Sequence, residues 1–387
     1  MKKLSILFLA ALFLVGCKEN KVNKTDEPEA PKAVNVIYMI GDGMALPQIY
    51  AAMLATGDDL AFSEFPYTGV VTTRSASNDI TDSAAGGTAL ACDQKTKNGM
   101  VGMDVDSVAM PTVLEILADH GKKTGIVVTC YATHATPADF YAKVPNRNMY
   151  EEIAEQMMNH EGLNVMIGGG RKHFNQRKDG RNLLEEMAEK GWTVYDTLDN
   201  IDVTNKRYAV LADDNHMPMA AQRGDFLPRG VKTALETLDG SEDGFFLMVE
   251  GSQIDFACHN NDSTYMVDEM LDFNAAVQIA LDYAKSHDNT LVVVTADHET
   301  GGLTMIDPQG HYADVSLRYS TWSHTCLPVM VFAYGPGAEQ FTGWMQNCDL
   351  KAKILNACGI EAPKAEAAEP HMHIEAIKAN YDSGLNK

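Results

Sequence analysis

The sequence predicts an α/β fold with a doubly wound, mostly parallel central sheet and helices on both of its faces. Short, continuous apolar runs alternate along the chain with helical segments, a pattern typical of strands buried on both faces of a parallel sheet. Acidic residues or histidine follow several of these runs, at the strand ends where open α/β sheets bind ligands. With 387 residues and a hydrophobic content of 45%, the chain is long enough for a sizeable core.

The individual elements are predicted from local patterns. Apolar runs predict strands at residues 34–40, 125–129, 165–167, 245–249, 291–295 and 329–333. Helices are predicted at residues 47–54, from Ser83 onwards, at 111–120 and at 264–284. Pro111 at the first turn and Gly121 just beyond the last turn mark the helix at 111–120.

The N-terminus has the features of a secretory signal. Two lysines precede an apolar run at 4–15, which is too short to span a membrane because spanning takes roughly 20 apolar residues. The ending Leu14-Val15-Gly16-Cys17 resembles a bacterial lipobox, which implies cleavage before Cys17 and a lipid on its thiol. We therefore expect an exported protein, lipid-anchored in the bacterial cell envelope and facing the periplasm or the surface. The expected division is a signal peptide at 1–16, lipidated Cys17 with a flexible polar tether at 17–33, and a single domain at 34–387.

Cysteine spacing and charge argue against two kinds of site. The other six cysteines form no CxxC pair, which argues against a structural zinc finger. Cys348 and Cys358 either form a disulfide or remain free thiols. A formal net charge of -22 argues against a nucleic-acid partner, because such a surface needs basic patches to neutralise phosphates. An anionic substrate would have to be attracted locally, by metal ions and a few arginines.

The segment Thr81-Asp82-Ser83-Ala84-Ala85-Gly86-Gly87-Thr88-Ala89 places a serine at the start of a predicted helix. Either Thr81 or Asp82 can cap the first turn. The N–H groups and the dipole of a helix N-terminus favour a bound anion, and small neighbours let a tetrahedral group approach Ser83 closely. The alternative interpretation is a capped helix that packs tightly against a sheet and takes no part in chemistry.

Carboxylates and imidazoles occur in two groups with the spacing of zinc ligands. Asp255 and His259 are four residues apart, which places them on one face if the segment is helical. Asp297 and His298 follow an apolar strand directly, and His324 adds a further imidazole. Nitrogen and oxygen ligands of this kind suit zinc with positions left open for a substrate.

A second ligand set contains only oxygen. Asp42, Glu250 and the hydroxyl of Thr136 offer the donors that a harder ion such as magnesium prefers. A single histidine is more often a hydrogen-bonded structural residue than a ligand. Three histidines could not be assigned to either role: His173, His216 and His311.

Five motifs resemble those of the alkaline phosphatase family, in the family's order and over residues 34–336. They are Tyr38-Met39-Ile40-Gly41-Asp42-Gly43-Met44, the Thr81–Ala89 segment, Gly168-Gly169-Gly170-Arg171-Lys172-His173-Phe174, Val249-Glu250-Gly251-Ser252-Gln253-Ile254-Asp255 and Thr295-Ala296-Asp297-His298-Glu299-Thr300-Gly301-Gly302. Several long motifs in register are a specific signal. The resemblance implies a catalytic domain at 34–387 that hydrolyses small phosphomonoesters through a phosphoserine, with two zinc ions and one magnesium ion per chain.

The resemblance also implies roles by position. Ser83 would be the nucleophile, and Arg147 would hold the phosphate with its planar fork. The implied metal ligands are Asp255, His259 and His324 for the first zinc, Asp42, Asp297 and His298 for the second, and Asp42, Thr136 and Glu250 for magnesium.

Three further positions are expected near the site. Asp82 either orients Arg147 or only caps the helix. His134 lies at a position that is Asp in some family members and His in others. Phe256 replaces a basic or polar side chain of many members, and it either removes a contact to phosphate or is a core residue. The span 298–324 is short where many relatives carry a crown insertion over a dimer interface, which weakens the case for the homodimer that is usual in the family.

Rival functions make distinguishable predictions. A phosphodiesterase of the same superfamily would share the metal scaffold and prefer bis-substituted phosphate. A sulfatase needs a Cys/Ser-x-Pro-x-Arg setting, and Ser83 is followed by Ala84 and Ala85. A non-catalytic envelope protein would have lost Ser83 or ligands, and every one of them is present.

Overall fold

The computed structural model describes residues 31–310 and 315–361. Its strands are β1 (Asn35–Gly41), β2 (Tyr67–Thr72), β3 (Lys123–Tyr131), β4 (Val165–Gly169), β5 (Thr193–Tyr195), β6 (Tyr208–Leu211), β7 (Phe245–Gly251), β8 (Thr290–Thr295), β9 (Glu299–Thr300), β10 (Thr304–Ile306), β11 (Ser316–Arg318), β12 (His324–Thr325), β13 (Val329–Tyr334) and β14 (Gly343–Gln346). Its α-helices are α1 (Leu46–Thr56), α2 (Ser83–Cys92), α3 (Val113–Asp119), α4 (Ala135–Ala138), α5 (Tyr150–Asn159), α6 (Lys172–Asn175), α7 (Leu183–Glu189), α8 (Ala220–Arg223), α9 (Phe226–Leu238), α10 (Gln253–His259), α11 (Ser263–Ser286) and α12 (Asp349–Ala357).

Ten of the strands in the described residues form one sheet, in the order β14-β2-β13-β8-β1-β7-β3-β4-β6-β5. Strand β13 runs antiparallel to both of its neighbours, and all other neighbours in the sheet are parallel. The central strands β1, β7 and β8 are buried along their whole length. The predicted α/β class with a mostly parallel sheet is confirmed.

Helices cover both faces of the sheet. Successive side chains of a strand point to opposite faces. In β7, the ring of Phe245 packs on Tyr283 of α11, with centroids 5.7 Å apart. The next residue, Phe246, packs on Phe140, which follows α4, at 6.1 Å. Adjacent residues of one strand therefore contact helical layers on the two faces, as a doubly wound sheet requires.

Each predicted strand corresponds to a strand of the central region, within a few residues at either end. The strands β2 and β14 at one end of the sheet and β5 and β6 at the other end were missed. Most residues of β2 and β14 are exposed or only half-buried, so their sequences lack a continuous apolar run. Strands β5 and β6 are only three and four residues long. The antiparallel pair β10–β11 lies in the short segment that precedes β12, of which residues 311–314 are outside the described part.

The helix predicted at 111–120 begins two residues later than expected. Its N-cap is Thr112, whose side chain accepts from the N–H of Glu115 while the Glu115 carboxylate accepts from the N–H of Thr112. This reciprocal capping box satisfies the N–H groups of Thr112 and Glu115 and makes Thr112 the N-cap. Pro111 therefore lies before the cap and outside the helix.

Several predictions concern residues that the structure does not describe or does not test. The signal peptide at 1–16, Cys17, most of the tether and His311 lie outside the described residues. The division into a tether and a domain at 34–387 stays a prediction. Within the described residues, Cys348 and Cys358 are free thiols, and no helix combines the length and apolar character needed to cross a membrane.

Candidate active site

The site lies where β1, β7 and β8 end. These three strands are parallel neighbours, and their register aligns Gly41 with Gly251 and Ile40 with Thr295. Asp42 follows β1 directly, Glu250 is near the end of β7, and Asp297 follows β8 by two residues. Parallel pairing thus brings Asp42 close to carboxylates that lie more than 200 positions later in the chain.

Ser83 is the first residue of α2. Asp82 is its N-cap, and the Asp82 Oδ1 atom accepts from the N–H of Ala85 at 3.0 Å, so Asp82 rather than Thr81 caps the helix. The helix approaches the end of β8 very closely. A Cβ at Gly86 would lie 3.0 Å from the Asp297 carbonyl oxygen, which explains the glycine at this position. This packing holds the Ser83 hydroxyl 3.2 Å from Nε2 of His298.

The first ligand group consists of Asp255, His259 and His324. Helix α10 places Asp255 and His259 on one face, as predicted, with Oδ2 and Nε2 3.3 Å apart. His324 in β12 completes the group, and its Nε2 lies 3.5 Å from Oδ1 of Asp255 and 3.1 Å from Nε2 of His259. One ligand atom of each residue lies within 4.8 Å of the others.

The second group consists of Asp42, Asp297 and His298, all fully buried. The His298 Nε2 atom lies 3.1 Å from Oδ2 of Asp297 and 3.5 Å from Oδ1 of Asp42. The rings of His298 and His324 stack with centroids 3.6 Å apart, so the two groups are adjacent. Ser83 contacts the second group through His298, whose ring stacks on His324 of the first group.

The hydrogen bonds of the imidazoles direct Nε2 into the site. Nδ1 of His259 lies 2.6 Å from the Trp322 carbonyl oxygen, and Nδ1 of His324 lies 2.8 Å from that of Thr81. A carbonyl oxygen only accepts, so Nδ1 carries the proton in both rings and the Nε2 lone pair is left to bind a cation. Burial, followed by the charge of His298, lowers the pKa of His324 to about 4, which keeps this ring neutral at pH 7.

The third group surrounds Glu250. The Thr136 hydroxyl donates to Oδ2 of Asp42 at 3.4 Å, which links this group to the second one. The thiol of Cys130 donates to Oε2 of Glu250 at 3.3 Å. Cys130, His134 and Glu250 offer ligand atoms within 4.8 Å of one another. Cys130 was not among the site residues predicted from the sequence.

Arg147 lies beside this third group. Its Nη1 donates to Oδ2 of Asp82 at 3.1 Å, and its Nη2 lies 3.3 Å from Nε2 of His134. The same Asp82 oxygen accepts from the Gly99 N–H, and the Arg147 N–H donates to the Gly99 carbonyl oxygen. Asp82 therefore has both roles that the sequence left open, because it caps α2 and contacts the guanidinium.

The electrostatics of the site favour bound cations. Burial, and then the charges of Asp297, Asp255 and Glu250, raise the pKa of Asp42 well above its usual value. Burial also raises the pKa of Glu250 to about 7. Among the described residues, Oδ1 of Asp42, Oδ2 of Asp297 and Oε1 of Glu250 are buried without a hydrogen-bond partner. Buried carboxylate oxygens are costly unless a cation or donor meets them, so the donor sets fit divalent metal ions.

A sequence model of the alkaline phosphatase family matches residues 33–318. Alkaline phosphatase 4 of Bacillus subtilis (strain 168) is 38% identical, over 91% of this chain and 94% of its own length. The chain belongs to the alkaline phosphatase family. The structure of alkaline phosphatase from the Antarctic bacterium TAB5 is 37% identical and covers 86% of this chain and 100% of its own, with a TM-score of 0.83. A TAB5 variant with aspartate in place of one histidine has Mg bound in its M3 site, at 36% identity, the same coverage and a TM-score of 0.83.

Membership of the alkaline phosphatase family confirms the predicted family and enzyme class. The structure also brings the predicted site residues together: Ser83, Asp82, His134, Thr136, Arg147, Phe256 and the metal-ligand candidates Asp42, Glu250, Asp255, His259, Asp297, His298 and His324 all lie in or beside the three groups.

Phe256 lies in a cluster of rings next to Arg147. Its ring meets His134 edge-on at 5.9 Å and His216 edge-on at 4.9 Å, between ring centroids. His216 stacks on Tyr131 with centroids 3.5 Å apart. The sequence left His216 unassigned, and the structure brings it to this wall of the alkaline phosphatase site. Burial, and then the nearby Lys172 charge, lower the pKa of His216 to about 4, so the wall is formed by neutral rings.

Proposed function

We propose that the chain hydrolyses phosphomonoesters through a phosphoserine on Ser83 and releases inorganic phosphate. The observation that carries the proposal is the position of Ser83. Its hydroxyl lies at the N-terminus of α2, 3.2 Å from Nε2 of His298, whose group of carboxylate and imidazole donors adjoins the group of Asp255, His259 and His324. The serine hydroxyl must be activated as a nucleophile, and the negative charge of the phosphate ester must be neutralised. The donor groups around Ser83 offer binding sites for the cations that do both.

Two zinc ions are proposed for the groups that contain His259, His324 and His298, and a third divalent cation is proposed beside Glu250. When bound, such ions neutralise the phosphate and stabilise the attacking and leaving oxygens of an in-line displacement. Asp42 lies between the second and third groups, because Oδ1 faces His298 and Oδ2 accepts from Thr136.

The chain's own groups bind and orient the ester. The Arg147 fork matches two phosphate oxygens, and its contact with Asp82 fixes the direction of the guanidinium. Since Asp82 also caps α2, one carboxylate sets the distance between the phosphate-binding fork and the nucleophile. Ser83 Oγ gives up its proton and bonds to phosphorus as the bond from phosphorus to the ester oxygen breaks, and the released alkoxide takes up a proton to leave as the alcohol. A water molecule then attacks phosphorus on the side opposite Ser83 Oγ, the Ser83–phosphate bond breaks, and one water proton returns to Ser83 as inorganic phosphate is released.

The proposal is tested by assaying an aryl phosphomonoester and the corresponding bis-aryl phosphodiester side by side. We expect kcat/KM for the monoester to exceed that for the diester by roughly 100-fold or more, a difference of about 2.7 kcal/mol in transition-state stabilisation. A diester preference would assign the chain to the phosphodiesterases of the superfamily and contradict the proposal. The same assay on a Ser83→Ala variant controls for contaminating phosphatase.

Phe256→Lys tests whether the ring cluster borders the phosphate. A lysine there would add a cation near a dianion, and we expect inorganic phosphate to inhibit the variant about tenfold more tightly. A charged hydrogen bond of about 1.5–3 kcal/mol is sufficient for this change. Because product release would also slow, kcat is expected to fall.

The measurements for Phe256→Lys are the phosphate inhibition constant, zinc content and melting temperature. Leu271→Lys, at a half-buried position on α11, is the control for placing a charge against the core. An unchanged inhibition constant with a lowered melting temperature would assign Phe256 to the core and not to the site.

We further propose that the protein is exported and anchored by a lipid on Cys17. We also propose a homodimer, and both proposals rest on the sequence alone. Both are independent of the chemistry proposed for Ser83.

A further inference from the structure

We propose that Cys130 and His134 are ligands of the third cation, and that this position therefore selects a zinc- or cobalt-like ion over magnesium. The inference rests on the proposed function, because it names the ion that the site would hold beside Glu250. It departs from the magnesium ion and the all-oxygen ligand set of Asp42, Thr136 and Glu250 that the sequence predicted.

The geometry places sulfur, nitrogen and oxygen donors together. Cys130 is near the end of β3, and Glu250 is near the end of the neighbouring parallel strand β7, where Val128 is its partner in register. His134 follows in the turn that leads into α4. Cys130 Sγ, one ring nitrogen of His134 and one carboxylate oxygen of Glu250 all lie within 4.8 Å of one another.

The donors are buried and incompletely satisfied. Cys130 is fully buried, Glu250 is fully buried and His134 is 8% exposed. Oε1 of Glu250 and Nδ1 of His134 have no hydrogen-bond partner among the described residues. Nε2 of His134 accepts from Nη2 of Arg147 at 3.3 Å, so the neutral ring carries its proton on Nδ1 and binds a cation there only when that proton moves to Nε2 and the contact with Arg147 is lost. The unpartnered Glu250 oxygen beside the Cys130 thiol is the atom that points most directly to a bound cation.

The identity of the donors decides the class of ion. Magnesium prefers an octahedron of oxygen ligands and keeps several of its waters, whereas thiolate and imidazole suit zinc, cobalt and other borderline ions. In the alternative arrangement, the cation contacts only oxygens and Cys130 remains a thiol that donates to Glu250 at 3.3 Å. The Cys130 sulfur also lies 3.2 Å from the Tyr131 carbonyl oxygen, so the thiol has acceptors for its proton and binds a cation only when the proton is displaced.

Cobalt substitution separates the two arrangements, because a cysteine thiolate bound to Co²⁺ gives an intense near-ultraviolet charge-transfer band. The full-length protein is stripped with a chelator and titrated with Co²⁺, and the spectrum is recorded at each equivalent. We expect the band to grow with one of three bound equivalents. It should disappear in Cys130→Ser and persist in Cys92→Ser, which removes a buried thiol at the end of α2.

Metal content provides the second readout. After dialysis against equal concentrations of zinc and magnesium, the parent is expected to retain three zinc ions. Cys130→Ser is expected to retain two zinc ions and one magnesium ion, with the third-site affinity for zinc lowered roughly tenfold or more. Three bound cobalt ions without the band, or two zinc ions and one magnesium ion in the parent, would overturn the assignment of Cys130.

The outcome for Cys130 is separable from that for the proposed function. Fewer than two bound cobalt ions in the parent would contradict the two-zinc site itself. Three bound ions with no thiolate band would contradict only the sulfur ligand. The parent's spectrum and metal content decide both points even if Cys130→Ser fails to fold.

Discussion

Replacing Ser83 with alanine is expected to lower phosphomonoester turnover by roughly 10³-fold or more while leaving the fold and the metal content unchanged. The Ser83 hydroxyl is the nucleophile of the proposed function, and its removal eliminates the covalent intermediate. Water activated at the same site can still attack the ester, so a small residual rate is expected.

The fold should tolerate this substitution. Alanine is a better helix former than serine, and the cap of α2 comes from Asp82 and not from Ser83. Ser83 contacts His298 at 3.2 Å, and that imidazole retains Asp42 and Asp297 beside it. If activity is lost while the zinc content and the melting temperature stay unchanged, the loss would therefore be assigned to the missing nucleophile.

The decisive measurement traps the covalent intermediate at acidic pH and locates the phosphate by mass spectrometry of the peptides. Phosphate is expected on Ser83 in the parent and nowhere in Ser83→Ala. Ser286→Ala, which removes an exposed serine at the end of α11, is the control and should behave like the parent. Phosphate on a different residue of the parent would overturn the assignment of Ser83.

The sequence predicted the centre of the fold better than its margins. The runs that became β1, β7 and β8 are apolar at nearly every position because both faces of these strands are buried, and such runs are visible without a structure. Strand β14 has three exposed residues of four, so no periodic signal marks it. Edge strands are defined by pairing with a neighbour, and pairing is a long-range property.

The same reasoning explains which site residues were found. Asp255 and His259 are linked by helical spacing, and Asp42 and Asp297 by their positions at strand ends, so local patterns sufficed. Cys130 approaches Glu250 only because β3 pairs with β7 across 120 positions of sequence. No local pattern contains that contact.

Chelation of the metal ions is expected to abolish activity and to destabilise the protein, and zinc is expected to restore both. The physical reason is the density of buried acidic groups. The pKa of Asp42 is raised by burial and by three neighbouring carboxylates, so without cations these groups repel one another or must take up protons. Ions that bind only the folded state add stability, about 2.7 kcal/mol for each ion present at 100 times its dissociation constant.

The test follows activity, zinc content and melting temperature during removal and return of zinc. His324→Ala removes one ligand of the first group and is expected to lose about one zinc equivalent and at least about 100-fold in activity. His287→Ala is the matched control, because that imidazole stacks on Tyr283 of α11 with centroids 4.0 Å apart and belongs to none of the ligand groups.

The two histidine variants distinguish a metal role from a packing role. If His324 only filled space, both variants would lose stability alike and both would keep their zinc. We expect only the His324 variant to lose zinc. The His324 Nδ1 atom bonds to the Thr81 carbonyl oxygen, which orients a neutral ring so that Nε2 faces Asp255 and His259. Full activity in a parent sample that elemental analysis finds free of metal would contradict the two-zinc mechanism.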